Sequence, residues 1–223
     1  DHVSVFNYAH LPDRFAAQRK IKDEQLPSPE HKLTMFKNTL AQMVNAGYVN
    51  IGMDHFAKST DSLAIAQQQG KLHRNFQGYT TQGECDLLGL GVSSISSVGK
   101  SFSQNYKDLK DYYNALDNHE HAVEKGVLLT QDDVIRGDVI KQLMCNFKLN
   151  KNSFNTRFNI DFDEYFAYEI SKLTPFVKDR LVTIDKTEIS IRPIAKLLIR
   201  NICMTFDVYL QKQLNNQRFS RVI

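Results

Sequence analysis

Between residues 28 and 56 the chain reads SPEHKLTMFKNTLAQMVNAGYVNIGMDHF, and this segment limits the fold more than any other. Ser28 offers an N-cap, Pro29 suits the first helical position, and Leu33, Phe36, Leu40, Met43 and Val44 fall on one face before Gly47 lets the helix end. A strand pattern, YVNIGMDHF, resumes at once. Upstream, VSVFNYA at 3–9 is rich in β-branched and aromatic side chains and reads as an earlier strand. Strand, helix, strand in that order implies a parallel β/α arrangement, in which functional loops sit at the C-terminal ends of the strands.

A short helix is expected at 61–69, capped by Thr60 and ended by Gly70, and CDLLGLGVSSISSVG at 85–99 is mostly small and apolar. From Ser103 the composition turns charged in KDLKDYYNALDNHEHAVEKG, which reads as partly helical and as the bridge between a first domain, 1–120, and a second, 121–223. The second domain is mainly helical. Thr130 caps a helix with Val134, Ile135, Val139, Leu143 and Met144 facing inward, and another carries Phe162, Tyr165, Phe166, Ile170 and Leu173. LVTI and ISI around DKTE read as a hairpin, and Pro193 starts a last helix through Leu197, Leu198, Ile202 and Phe206. Helix, helix, hairpin and helix suggest a winged-helix-like module or a small bundle. The class is therefore α/β, with α+β character overall.

Charge excludes little but points away from polyanions: 28 Lys and Arg against 25 Asp and Glu leave +3, with no basic run. The helix from Phe162 to Leu173 carries Asp161, Asp163, Glu164 and Glu169 on what reads as its outer face, which would repel nucleic-acid phosphate. Cys85, Cys145 and Cys203 lie too far apart for a disulfide framework or a CxxC metal site, so a reducing, cytoplasmic setting is expected. No apolar run reaches the roughly 18 residues of a membrane span. The first residue is Asp and the apolar segment VSVFNYAHL begins at once, as expected of a fragment entered in mid-domain.

Three stretches hold candidate chemistry. Asp54 and His55 stand at the end of an expected strand and could bind substrate or move protons; equally, Asp54 could cap a turn and His55 hydrogen-bond in a loop. GLGVSS matches only the first two glycines of GxGxxG, and its small residues suit either ligand approach or close strand packing. HRNFQGYTTQG at 73–83 combines a carboxylate fork in Arg74 with three side-chain amides and the flat faces of Phe76 and Tyr79. A flat, acid-bearing ligand would suit it, and so would a well-hydrogen-bonded loop or edge strand.

SVFNYAHLP, AAQRKIKDEQLPSPE, YVNIGMDHFAK, LHRNFQGYTTQG, DLLGLGVSSIS, RNICMTFD and the terminal FSRVI closely resemble the oxygen-independent coproporphyrinogen III oxidases, radical S-adenosylmethionine enzymes of heme biosynthesis. The matches run in order through the whole chain. HRNFQGYTT separates it from the related heme chaperones, which usually read HNxxYW there. The resemblance implies the last part of an incomplete radical-SAM β/α barrel joined to the helical C-terminal domain. It also implies conversion of two propionates of coproporphyrinogen III to vinyls, giving protoporphyrinogen IX, with an unidentified electron acceptor. In that family a [4Fe–4S] cluster on CxxxCxxC cleaves S-adenosylmethionine to a 5′-deoxyadenosyl radical that takes hydrogen from the propionate.

By the same resemblance Ala9 would contact a second S-adenosylmethionine, and Ile95, with Gln77, the adenosyl region of the cluster-bound one. Arg74 as a propionate partner is added here on its chemistry. The chain departs from the family in having no CxxxCxxC, so the cluster ligands are expected outside it, and by itself it should not catalyse the reaction. A strand edge and apolar helix face left uncovered would favour self-association. Two other readings stand beside this one: a radical-SAM heme chaperone, and an inactive scaffold fragment.

Overall fold

The computed structural model describes residues 1–213. The terminal stretch at 219–223, part of the resemblance above, lies outside them. Strand β1 (His2–Ser4) is followed by a long loop containing two 3₁₀ turns, and then by helix α1 (Pro29–Asn45). The helix begins as its sequence requires, with Ser28 Oγ accepting from the His31 N–H at 3.3 Å and Pro29 in the first turn. It ends at Gly47, whose φ of +77° costs a glycine little. No residue of α1 is buried, and Val44 is 54% exposed, so its apolar face has only partial cover.

The YVNIGMDHF stretch is a hairpin rather than one strand: β2 (Tyr48–Gly52) turns through Met53 into β3 (His55–Lys58). The returning β3 inserts between β1 and β2 and pairs antiparallel with both. Thus β1 and β2 share a direction but do not touch, and the parallel pairing expected from their order does not form among the described residues. The first strand is also shorter than 3–9, because the chain leaves the sheet after Val5 N–H bonds to the Asp54 carbonyl at 2.8 Å.

Helix α2 (Ser62–Gln68) is capped by Asp61, not Thr60: the Asp61 carboxylate accepts from Leu63 N–H at 2.8 Å. The HRNFQGYTT stretch is a tight hairpin of β4 (His73–Asn75) and β5 (Gly78–Thr80). Next come β6 (Ile95–Val98), β7 (Ser101–Asn105), α3 (Leu109–Asp117) and β8 (Val123–Leu128), with β7 central in an antiparallel sheet. The charged bridge is thus a helix followed by a strand. Since β8 pairs with β7 from Leu128 to Val123, the first region's sheet runs past residue 120.

In the second region, α4 (Gln131–Asn146) opens with a reciprocal capping box between Thr130 and Asp133 and buries Ile135, Val139 and Leu143. Then follow β9 (Lys148–Asn150), α5 (Lys151–Phe158), α6 (Phe162–Tyr165), α7 (Ala167–Lys172) and α8 (Thr174–Lys178). The single helix expected from Phe162 breaks at Phe166, which sits at φ −106°, ψ 23° and seats its ring against Phe162 and Phe206 at centroid distances of 4.8 and 5.4 Å. Burying each such ring contributes about 1.5–3 kcal/mol, enough to outweigh a lost helical turn. The hairpin around DKTE forms as β10 (Val182–Ile184) and β11 (Glu188–Ile191), with β9 as a third strand, before a 3₁₀ turn from Pro193 and α9 (Ile199–Met204).

Glu169 is not on a solvent face as its sequence context suggested. It is 4% exposed and takes Arg136 Nη1 at 2.7 Å, while Asp163 takes the buried Lys151 at 2.6 Å. Two of the four acids read as a repelling face are therefore held by cations. Among the described residues no helix is long and apolar enough to cross a membrane.

Candidate functional site

Where the chain leaves β1 it forms one side of a cleft of about 290 Å³. Gln18 fixes that side, accepting from the Leu11 N–H at 2.5 Å and donating to the Ala9 carbonyl at 3.1 Å, so Phe6, Tyr8 and Ala9 face the opening. Leu33 and Phe36 of α1 supply an apolar wall. Lys32 enters from α1, Arg74 from β4 and Arg200 from α9, with Asp54 the one carboxylate on the lining. None of the three cations is in an ion pair among the described residues. Three positive charges stand against one negative on this lining, a balance that attracts anions.

Asp54 lies in the turn before β3 and His55 opens that strand, with the Asp54 carboxylate 3.5 Å from His55 Nε2. Asp54 lines the cleft; His55 is held behind it, its Nδ1 2.8 Å from Ser4 Oγ and its ring edge-on to Phe6 and Tyr79. Burial pushes the His55 pKa down, opposed by Asp54 and assisted by Arg74, which favours the neutral ring. The Tyr79 hydroxyl is pushed well up, chiefly by burial, and stays protonated. His55 thus hydrogen-bonds from within β3 rather than from a loop.

Arg74 is exposed, stacked over the Tyr79 ring with its guanidinium carbon 5.5 Å from the centroid, and it points to the cleft. His73, on the other face of the hairpin, packs so closely on Gly83 that no β-carbon could fit there. Its Nδ1 and Asn146 Oδ1, both on a second, polar cleft, have no hydrogen-bond partner among the described residues. Gln77 is exposed at the hairpin tip, with its N–H donating to Asn75 Oδ1 at 2.8 Å, and does not line the first cleft.

Ile95 also lies outside that cleft, in β6. A β-carbon on Gly89 would come 2.7 Å from the Ile95 carbonyl oxygen, so the first glycine of GLGVSS serves close backbone packing. Lys32 and Arg200 went unnoticed in the sequence, although Lys32 adjoins the apolar face of α1 and Arg200 opens RNICMTFD.

The thiols do not form a metal centre. Cys85 is exposed, whereas Cys145 and Cys203 are buried; burial pushes the Cys145 thiol up to about 12 and Cys203 higher still. No group of three or more His, Cys, Asp or Glu among the described residues could hold a metal ion. The residues present do not fit an iron–sulfur cluster.

The family described as HemN C-terminal domain matches residues 129–198. The oxygen-independent coproporphyrinogen III oxidase of Escherichia coli K12 is 53% identical over 223 residues, covering 100% of this chain and 49% of its own. The protein of the same name from Thermostichus vulcanus is 42% identical over 224 residues, with 100% of this chain and 69% of its own covered. A solved structure, described as coproporphyrinogen III oxidase (HemN) from Escherichia coli, a radical SAM enzyme, superposes with a TM-score of 0.91 at 54% identity, over 94% of this chain and 48% of that one. The chain thus spans about half the length of most of the curated relatives it matches.

Proposed function

The chain belongs to the oxygen-independent coproporphyrinogen III oxidase family, and from that premise we propose that it furnishes the substrate-facing wall of an enzyme that oxidatively decarboxylates coproporphyrinogen III to protoporphyrinogen IX. At each reacting propionate one hydrogen atom leaves the carbon next to the ring, carbon dioxide departs, one electron passes to an acceptor, and a vinyl group remains. S-adenosylmethionine with a [4Fe–4S] cluster would supply the hydrogen abstraction. The cluster's ligands lie outside this chain, which does not turn over substrate unaided.

What this chain's own residues do is bind and orient. The observation that carries the reading is the cleft in which three cations, without ion-pair partners among the described residues, converge beside Ala9. Arg74 grips a propionate through its planar fork, while Phe6, Tyr8 and Phe36 cover the apolar body of the macrocycle. Ala9 meets S-adenosylmethionine from the same cleft. Ile95 and Gln77 are assigned to the adenosyl region by family resemblance and act from a separate surface. The close structural likeness to the E. coli enzyme supports reading the β1–β3–β2 sheet as the end of a larger β/α barrel and the C-terminal region as winged-helix-like, the two meeting near residue 128. A cytoplasmic setting and self-association of the isolated chain belong to the same proposal.

The test is a chimera in which this chain replaces the matching half of the E. coli relative. Arg74→Ala there raises KM for coproporphyrinogen III; unchanged binding and turnover would remove Arg74 from the site.

A further inference from the structure

Coproporphyrinogen III carries four propionates, and the proposed reaction consumes two. A carboxylate that departs as carbon dioxide loses its charge, so a fixed cation gripping it would favour the bound substrate over the decarboxylated product. Such a contact holds the reaction back. Cations gathered in one place serve better as anchors for carboxylates that keep their charge throughout. Arg74 has two companions suited to that, Lys32 and Arg200, on the same cleft.

Lys32 lies one residue before Leu33 on α1, and both line the cleft. Arg200 lies in the first turn of α9, whose neighbours Ile199, Ile202 and Cys203 are buried in the C-terminal core. That core fixes the backbone from which the guanidinium projects. With Leu197, it brings the C-terminal region into the cleft wall. S-adenosylmethionine, met by Ala9 on the same cleft, bears a single carboxylate and can engage only part of the three-cation array. A polycarboxylate matches the charge pattern better.

We infer that Lys32 and Arg200, together with Arg74, bind the two propionates that the reaction leaves intact, which makes the C-terminal region part of substrate recognition; this rests on the functional reading above. It predicts uniform binding: substrate is held equally in ground and transition states, so loss of either cation raises KM and leaves kcat unchanged.

The direct test titrates the 223-residue chain with coproporphyrin III by fluorescence, and separately with S-adenosylmethionine. Lys32→Met and Arg200→Met each weaken coproporphyrin III binding about tenfold, as expected for loss of one charge-assisted hydrogen bond, and leave S-adenosylmethionine affinity as it was. Arg200→Lys, which keeps the charge without the fork, falls between and guards against misreading a folding defect. Coproporphyrin affinity equal to wild type in both Met variants, selective loss of S-adenosylmethionine affinity, or no coproporphyrin binding by the wild-type chain would each overturn the inference. In the chimera the two claims separate. Active chimera with unchanged KM in both variants sinks the inference and keeps the enzymatic reading; inactive wild-type chimera, with porphyrin binding still dependent on Lys32 and Arg200, does the reverse.

Discussion

The Tyr79 hydroxyl fills the place where a β-carbon on Gly52 would stand, and the ring carbon behind it would be only 2.8 Å from that β-carbon. Gly52 also sits at φ +151°, a conformation other residues rarely adopt. This contact joins the β2–β3 hairpin to the hairpin that carries Arg74. Gly52→Ala is expected to destabilise the chain by about 2–3 kcal/mol, from overpacking and backbone strain together, measured as a lowered urea midpoint. It should also weaken porphyrin binding by displacing Tyr79 from under Arg74.

His55 and His73 both have pKa values lowered, in each case first by burial. In the unfolded chain they titrate near the ordinary value of about 6.5. As pH falls below that value the unfolded state takes up protons that the folded state refuses, so stability is full above pH about 6.5 and declines on acidification. The melting temperature should drop between pH 7.5 and 5, and His55→Asn should flatten the slope. A melting temperature that rises over this interval would contradict the assignment.

Arg136 is held by Glu169 at 2.7 Å and by Asp132 at 2.8 Å, over the ring of Phe166. Glu169→Ala leaves the guanidinium half-satisfied beside the aromatic core. The expected loss is about 3 kcal/mol, the lower end for breaking a buried pair, because Asp132 remains. Chemical denaturation of the variant measures it.

Helix α1 buries none of its residues, and Phe6, Leu88, Leu90 and Leu128 are 72%, 73%, 91% and 81% exposed. Such apolar surface drives association in an isolated chain. Light scattering at rising concentration should show dimers or larger species; a monomer throughout would rule this out.

Much of this was legible in residues that act locally. Ser28 and Pro29 started α1, Thr130 started α4, and the DKTE turn set its hairpin, because caps and turns are decided within a few residues. What escaped depended on distance in sequence. The inserted β3 reverses at Met53, with none of the Asn-Gly or Asp-Gly chemistry that signals a tight turn. Glu169 looked solvent-facing because its partner Arg136 is 33 positions away. Asp54 and Arg74 were singled out from their own stretches, but Lys32 and Arg200 join them only through the fold, and no spacing in the chain announces that four-residue cluster.

On the proposed reading, these residues form the carboxylate-binding wall of a coproporphyrinogen III oxidase whose iron-bearing wall is supplied elsewhere. The most direct test feeds coproporphyrinogen III and S-adenosylmethionine, without oxygen, to the isolated chain and to the chimera, and measures protoporphyrinogen IX together with 5′-deoxyadenosine. Both products are expected from the chimera and neither from the chain alone; products from the unaided chain, or a folded, cluster-loaded chimera that makes none, would contradict it.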